Sequence, residues 1–250
     1  MFGSAGAILN KCINPLGIKV VRSGHDWQDT KNFIPFAETV ENARRKGCSV
    51  GDYIDGVMNN IPGTTEATIN GMAALGVFER PINTVLEIGP GSGRYLEKTL
   101  AHCAPKRYEI YETSAPWAAY LQQNYNVVLL PTDGRYLSST PDQSVDLVQA
   151  HKVFSSIPSL PTFGYWKEMS RVCRAGGFVI FDVLTETCLE PATLNKWINS
   201  GTDNGAYPAA IPREAAISFF KSENLEVKGS FLAPMGPGFT EVIVFQKSRR

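Results

Sequence analysis

From Pro81 onward, short runs rich in β-branched and aromatic residues alternate with segments whose apolar residues recur every three or four positions. That alternation predicts a parallel sheet covered by helices. Strands are expected at Thr84–Ile88, Arg107–Glu112, Val127–Leu130, Val145–Ala150 and Phe178–Leu184. Helices are expected between them. In Arg94–Cys103, Leu96, Leu100 and Cys103 share one face, and Ser114 stands as an N-cap ahead of Pro116 for a helix running to Tyr125. A third helix places Phe163, Trp166, Met169 and Cys173 on one stripe and stops at Gly176-Gly177. After an irregular stretch from Glu186 to Pro212 come a helix over Arg213–Asn224 and strands near Leu225–Leu232 and Thr240–Gln246. The turn-rich Pro234–Gly238 between those strands makes them antiparallel.

The first eighty residues lack this pattern. They read as an irregular arm to about Gly24 and then helices near Phe33–Lys46, Val50–Asn60 and Thr64–Leu75, broken at Pro62-Gly63. The expected organisation is therefore an arm and helical cap over residues 1–80 and an α/β domain over 81–250.

Composition narrows the class. A chain of 250 residues with 43% hydrophobic and 19% charged residues can bury a core, and it has no apolar run of the ~18 residues that a membrane span needs. Lys+Arg 24 balance Asp+Glu 24, which gives no overall attraction to nucleic acid. The five cysteines are odd in number and widely spaced, so no zinc site is read from them and free thiols in a cytoplasmic location are expected. Lys11 interrupts the short apolar stretch at the N-terminus, and no cationic residue precedes it. No secretion signal is expected there.

Candidate chemistry is concentrated in VLEIGPGSG, Val85–Gly93: a strand ending in Glu87 and Ile88, then Gly89, Gly91 and Gly93 before a helix. Glycines there let a ligand approach the backbone where a Cβ would intrude. The dinucleotide fingerprint GxGxxG places its third glycine one position later, so the loop departs from it. Further acidic residues stand at strand ends, Glu112 after the second and Asp133 in Pro131-Thr132-Asp133-Gly134 after the third. Carboxyl ends of strands are where open α/β sheets bind ligands.

Over residues 81–248 the chain resembles the class I S-adenosylmethionine-dependent methyltransferases, whose first motif has the form E/D-x-G-x-G-x-G. The resemblance implies a Rossmann-like, seven-stranded, mostly parallel sheet with an antiparallel last strand and helices on both faces. It implies S-adenosylmethionine as cofactor, with contacts at Glu87, Gly89, Pro90, Gly91, Gly93, Glu112, Thr113, Asp133, Gly134 and Ala150. Glu112 would accept from both ribose hydroxyls, and Asp133 from the adenine amino group.

Methyl transfer from a sulfonium is an in-line displacement in which alignment is most of the task. A hydroxyl acceptor also needs a base. Of His25, His102 and His151, the last follows the fourth strand and is the candidate base, with pocket lining as its rival reading. Asp182 and Glu186 stand behind it as further candidates. The stretch Thr187–Pro212, with Asn195, Lys196, Trp197, Asn199, Asp203, Asn204 and Tyr207, has the mixture of flat and polar groups that suits a sugar. The arm's NPLGIKVVR is similar to methyltransferases of the bacterial surface-polysaccharide type. The expected activity is methyl transfer to a hydroxyl of a small molecule or glycan. An N-methyltransferase of small molecules, or a catalytically silent binding protein of the same fold, are the alternatives.

Overall fold

A computed structural model describes residues 34–200 and 207–249. The arm to Gly24, with Cys12, and the neighbouring His25 lie outside them, as do Asp203 and Asn204. The described elements run α1 (Phe36–Lys46), α2 (Val50–Tyr53, continuing as a π-helical turn through Ile54–Met58), α3 (Thr64–Ala74), β1 (Thr84–Ile88), α4 (Arg94–His102), β2 (Arg107–Tyr111), α5 (Ala115–Asn124) and β3 (Val128–Leu129). They continue with β4 (Val145–Ala150), α6 (Ser159–Val172), β5 (Cys173–Val183), α7 (Pro191–Ser200), α8 (Arg213–Ser222), β6 (Leu225–Met235) and β7 (Gly238–Lys247).

The seven strands form one sheet in the order β3-β2-β1-β4-β5-β7-β6. β1 to β5 pair in parallel, and β7 runs antiparallel to both β5 and β6. The parallel part is what the alternation predicts, and the seven-stranded sheet with its antiparallel last strand is the Rossmann-like one the resemblance implies. The order reverses direction beside β1, so the carboxyl ends of β1 and β4 flank a switch point of the kind that opens a ligand crevice.

Strand periodicity sorts the side chains between two layers. Val85, Leu147, Phe178, Ile180, Val242 and Val244 face one core with Ile69 and Met72 of α3 and Leu96 of α4. Leu86, Val148, Val179, Phe181, Ile243 and Phe245 face the other, with Trp166 and Met169 of α6 and Phe220 of α8. Burial of the large side chains here at ~25 cal/mol per Å² is the main force holding both helical layers to the sheet. α3 was expected in the cap; Ile69 and Met72 instead make it part of a helical layer. α1 and α2 form a separate small cluster in which Ala43, Val50, Tyr53 and Ile54 pack with Trp117 of α5.

Two local expectations need correction. The helix expected to reach Gly176 ends at Val172, and Cys173 already pairs with Val145 of β4. The glycines serve the strand instead: a Cβ at Gly177 would stand 2.9 Å from the Asp146 carbonyl oxygen, so the glycine permits a close strand approach. The stretch after Glu186 is not irregular throughout, because Pro191–Ser200 is helical. Pro191 suits a first helical turn, and Leu194, Trp197 and Ile198 carry the helical spacing.

Candidate active site

A cavity of about 700 Å³ opens at the carboxyl edge of the sheet. It lies within the ~300–1,000 Å³ typical of small-molecule sites. Its walls come from the loops after β1, β2, β3 and β4, from Trp117 and Ala118 of α5, from Tyr165 of α6, and from Ile34 ahead of α1.

The glycine loop is built by left-handed backbone. Gly91 has φ +51, and no atom lies within 4 Å of where its Cβ would stand, so the backbone is open to a ligand. Gly93, with φ +77, serves packing instead, since a Cβ there would be 2.5 Å from Leu121 Cδ2.

Glu112, just past β2, ties this loop to the next one. Its Oε2 accepts from Gly91 N at 2.8 Å and its Oε1 from Ser114 N at 2.7 Å. Burial raises the carboxyl's pKa, while the N–H groups of Ser114 and Gly91 pull it back down. The Thr113 backbone also bonds the carboxylate, and of its roughly four acceptor positions it keeps capacity for a further donor. At the end of β3, Asp133 Oδ1 accepts from Arg135 N and Tyr136 N, both at 2.9 Å, and Gly134 N donates to Thr132 Oγ1 at 3.0 Å. The turn fixes Asp133 at the cavity wall.

Glu87 does not line the cavity. It is buried beneath the loop, where its Oε2 accepts from Tyr108 Oη at 2.5 Å and Gln149 Nε2 at 3.1 Å. Burial pushes its carboxyl up to about 7 against those two hydrogen bonds. Gly93 and Ala150 also stand outside the cavity wall. These three carry the loop and strands rather than touch the ligand space. Of the sequence candidates, Gly89, Pro90, Gly91, Glu112, Thr113, Asp133, Gly134 and His151 meet around it.

His151 is buried, and its ring stacks on Tyr95 at 4.3 Å between centroids and 17° between planes. Neither ring nitrogen has a hydrogen-bond partner among the described residues. Burial pulls its pKa down to about 4, and Lys152 and Arg94 add to that against the opposing charge of Asp182. The imidazole is therefore neutral near pH 7. The next residue, Lys152, takes φ +59, and its N–H donates to Asp182 Oδ1 at 2.6 Å. Its Nζ sits 3.0 Å from Asp182 Oδ2. A left-handed non-glycine residue stores strain that its surroundings must impose. Asp182 supplies that hold and does not line the cavity. Burial raises its pKa, but Lys152 and His151, with the Thr240 hydroxyl and the Lys152 N–H, more than offset this and leave it lowered.

Other sequence candidates lie elsewhere. His102 is exposed and stacks on Phe78. Glu186 accepts from Arg213 N at 2.8 Å. Trp197 packs under Gly236 and Gly238, and no residue of α7 reaches the cavity. The helical part of the Thr187–Pro212 stretch, Pro191–Ser200, is thus packed against the sheet's end. Sequence reasoning missed Arg94, Tyr95, Trp117 and Tyr165, all of which line the cavity. Arg94 and Tyr95 directly follow Gly93, so adjacency to the loop was their available signal.

Residues 86–181 match the family model described as a methyltransferase domain. The chain carries a methyltransferase domain over these residues. The resemblance of the glycine loop implies S-adenosylmethionine as the methyl donor. The fold of this chain is similar to that of magnesium protoporphyrin IX methyltransferase from Synechocystis PCC 6803, solved with bound S-adenosylhomocysteine (13% identity, 89% of this chain and 100% of that chain, TM-score 0.61). It is also similar to an O-methyltransferase family protein from Burkholderia thailandensis (14% identity, 97% of this chain and 83% of that chain, TM-score 0.59). The N-methyltransferase NodS from Bradyrhizobium japonicum, in complex with S-adenosylhomocysteine, is a third (15% identity, 84% and 98%, TM-score 0.56). No match is found among curated proteins. Among the described residues, no helix is long and apolar enough to cross a membrane.

The site's donor set fits such a cofactor. Open backbone at Gly91, a doubly anchored carboxylate at Glu112 and a turn-held carboxylate at Asp133 line one wall over three adjacent strands. At about 4.8 Å between strands, they span roughly 10 Å.

Proposed function

We propose that this methyltransferase transfers the methyl group to a hydroxyl of a small molecule, with the donor laid across the ends of β3, β2 and β1 and the acceptor beside the end of β4. The observation that carries this reading is Glu112, whose two oxygens are held by Gly91 N and Ser114 N at the cavity wall. In this arrangement Glu112 accepts from the ribose hydroxyls, Asp133 and Gly134 meet the adenine, and the backbone at Gly89, Pro90 and Gly91 lies against the amino-acid portion. Thr113 lines the same wall. Glu87, Gly93 and Ala150 support these contacts without making them.

The bound donor supplies an electrophilic methyl on a sulfonium. The chain's residues bind, align and exclude water; Ile34, Trp117, Val153 and Ile157 give the cavity its apolar surface. His151 is neutral and holds a nitrogen lone pair free to accept the hydroxyl proton as the oxygen–carbon bond forms. A resting pKa near 4 makes it a weak base. That suffices, because an alcohol oxygen becomes strongly acidic once it begins to share its electrons with carbon. The cap, described from Ile34 on, covers the cleft on this reading and contributes to acceptor choice.

The test is to incubate the protein with S-adenosylmethionine and a panel of alcohols, phenols, sugars and amines, and to locate the transferred methyl. Methylated hydroxyls support the reading; methylation confined to amines refutes the hydroxyl assignment.

A further inference from the structure

We infer that Tyr95 and His151 form a single acceptor subsite that selects an uncharged hydroxyl on an aromatic or otherwise apolar body, with Tyr95 as a specificity-determining residue. The inference rests on the cavity being the methyl-transfer site.

Tyr95 is the second residue of α4, is buried, and lines the cavity. Its hydroxyl, like both nitrogens of the ring stacked on it, has no hydrogen-bond partner among the described residues. Buried side-chain polar atoms are normally paired, because leaving one unmade forfeits its hydration without return. Three such atoms on two stacked rings in one cavity wall therefore point to a ligand that pairs with them.

Counting donors and acceptors identifies its chemistry. A neutral imidazole offers one N–H and one lone pair, and a phenol both donates and accepts. A hydroxyl likewise donates and accepts, so one hydroxyl can give its proton to the imidazole lone pair while taking a hydrogen bond from Tyr95 Oη. A carboxylate or phosphate brings acceptors alone and leaves the lone pair of His151 unmatched. An alkyl amine is an ammonium near pH 7 and in that form brings donors alone.

The neighbouring charges agree. The cations nearest this wall are already committed: Arg94 Nη1 to Asp55 Oδ1 at 2.7 Å, and Lys152 Nζ to Asp182 Oδ2 at 3.0 Å. Arg94 also covers the Tyr95 ring, 4.9 Å from its centroid. No uncompensated cation of this pair remains to attract an anionic acceptor, while Val153, Ile157, Ile34 and Trp117 offer an apolar surface in the same cavity. Asp133 and Glu112 lie over β3 and β2, on the donor side.

The experiment uses the full chain labelled with ¹⁵N-histidine and saturated with S-adenosylhomocysteine, the His151 signals being assigned by their loss in His151→Ala. Phenol, benzyl alcohol, benzoate and benzylamine are titrated in turn. Phenol and benzyl alcohol should shift the His151 signals saturably, with benzoate and benzylamine weaker by about tenfold or more. Tyr95→Phe, checked for an unchanged melting temperature, should weaken phenol by about tenfold and leave S-adenosylhomocysteine binding as in the wild type. Benzoate or benzylamine binding as tightly as phenol, a Phe variant that matches the wild type, or His151 signals that respond to neither alcohol would each overturn the inference. Failure of S-adenosylhomocysteine to bind would instead remove the methyl-transfer reading and this subsite with it.

Discussion

Arg94 donates through Nη1 to Asp55 Oδ1 at 2.7 Å, joining the first residue after the glycine loop to the π-helical turn that follows α2. Asp55 also accepts from Thr65 N at 2.8 Å and Thr65 Oγ1 at 2.9 Å, so one buried carboxylate holds the start of α3 and the start of α4 together. Breaking a buried pair strands the remaining charge, which typically costs ~3–5 kcal/mol. Asp55→Ala should therefore lower the unfolding free energy by about that amount in urea. A loss below ~1 kcal/mol would show that Arg94 finds another partner.

Glu112→Ala should reduce affinity for S-adenosylhomocysteine by roughly ten- to more than a hundredfold, since hydrogen bonds to a charged acceptor are worth ~1.5–3 kcal/mol. Calorimetry on a variant with unchanged circular dichroism decides it. Unaltered affinity would put the ribose elsewhere.

On the proposed reading, His151 sets the acid side of the rate profile. Its pKa, pulled down to about 4 by burial, means the base form already predominates above pH 5. Turnover should be level from about pH 6 to 8 and fall on acidification, in place of the rise through neutrality that an ordinary histidine gives. His151→Ala should lower turnover by ~10²-fold with donor affinity nearly unchanged. A variant turning over at the wild-type rate would make His151 pocket lining.

Glu87 governs a stability slope. Its folded-state pKa of about 7 lies above the ordinary 4.5, so between those values the folded protein holds more protons than the unfolded chain. Its contribution is full below pH 4.5 and is lost as pH rises through 7. The span corresponds to ~3 kcal/mol. Glu87→Gln cannot titrate, so urea melts from pH 4.5 to 8 should show the variant gaining on the wild type by about this amount. His151 acts with the opposite sign between about pH 4 and 6.5, but it is common to both proteins and cancels. A constant difference across the range would mean that Glu87 stays ionised in the fold.

The sheet was readable from the chain because β1, β4, β5 and β7 are buried on both faces and stand out as apolar runs, and the glycine loop has fixed spacing. Of the cavity wall, Glu112 and Asp133 were legible because each carboxylate follows a strand. The sequence alone leaves open where Glu87 points, because a carboxylate at the strand end beside the loop can face either the ligand or the core. Tyr108 and Gln149, distant in sequence, decide that it faces the core. Tyr95 escaped notice because an aromatic residue on an amphipathic helix is normally core; its unpaired hydroxyl shows only in three dimensions. α7 was hidden by its Asn, Thr and Ser content, and the role of α3 depended on which surface the sheet offers it.

On the proposed reading, the cavity at the carboxyl edge holds S-adenosylmethionine across β3, β2 and β1. Calorimetric titration of the purified full chain with S-adenosylmethionine, S-adenosylhomocysteine and NAD in parallel separates a sulfonium-donor site from a dinucleotide site. Saturable one-site binding of the first two is expected, with no heat from NAD. Binding of NAD with none of either sulfur compound would refute the reading.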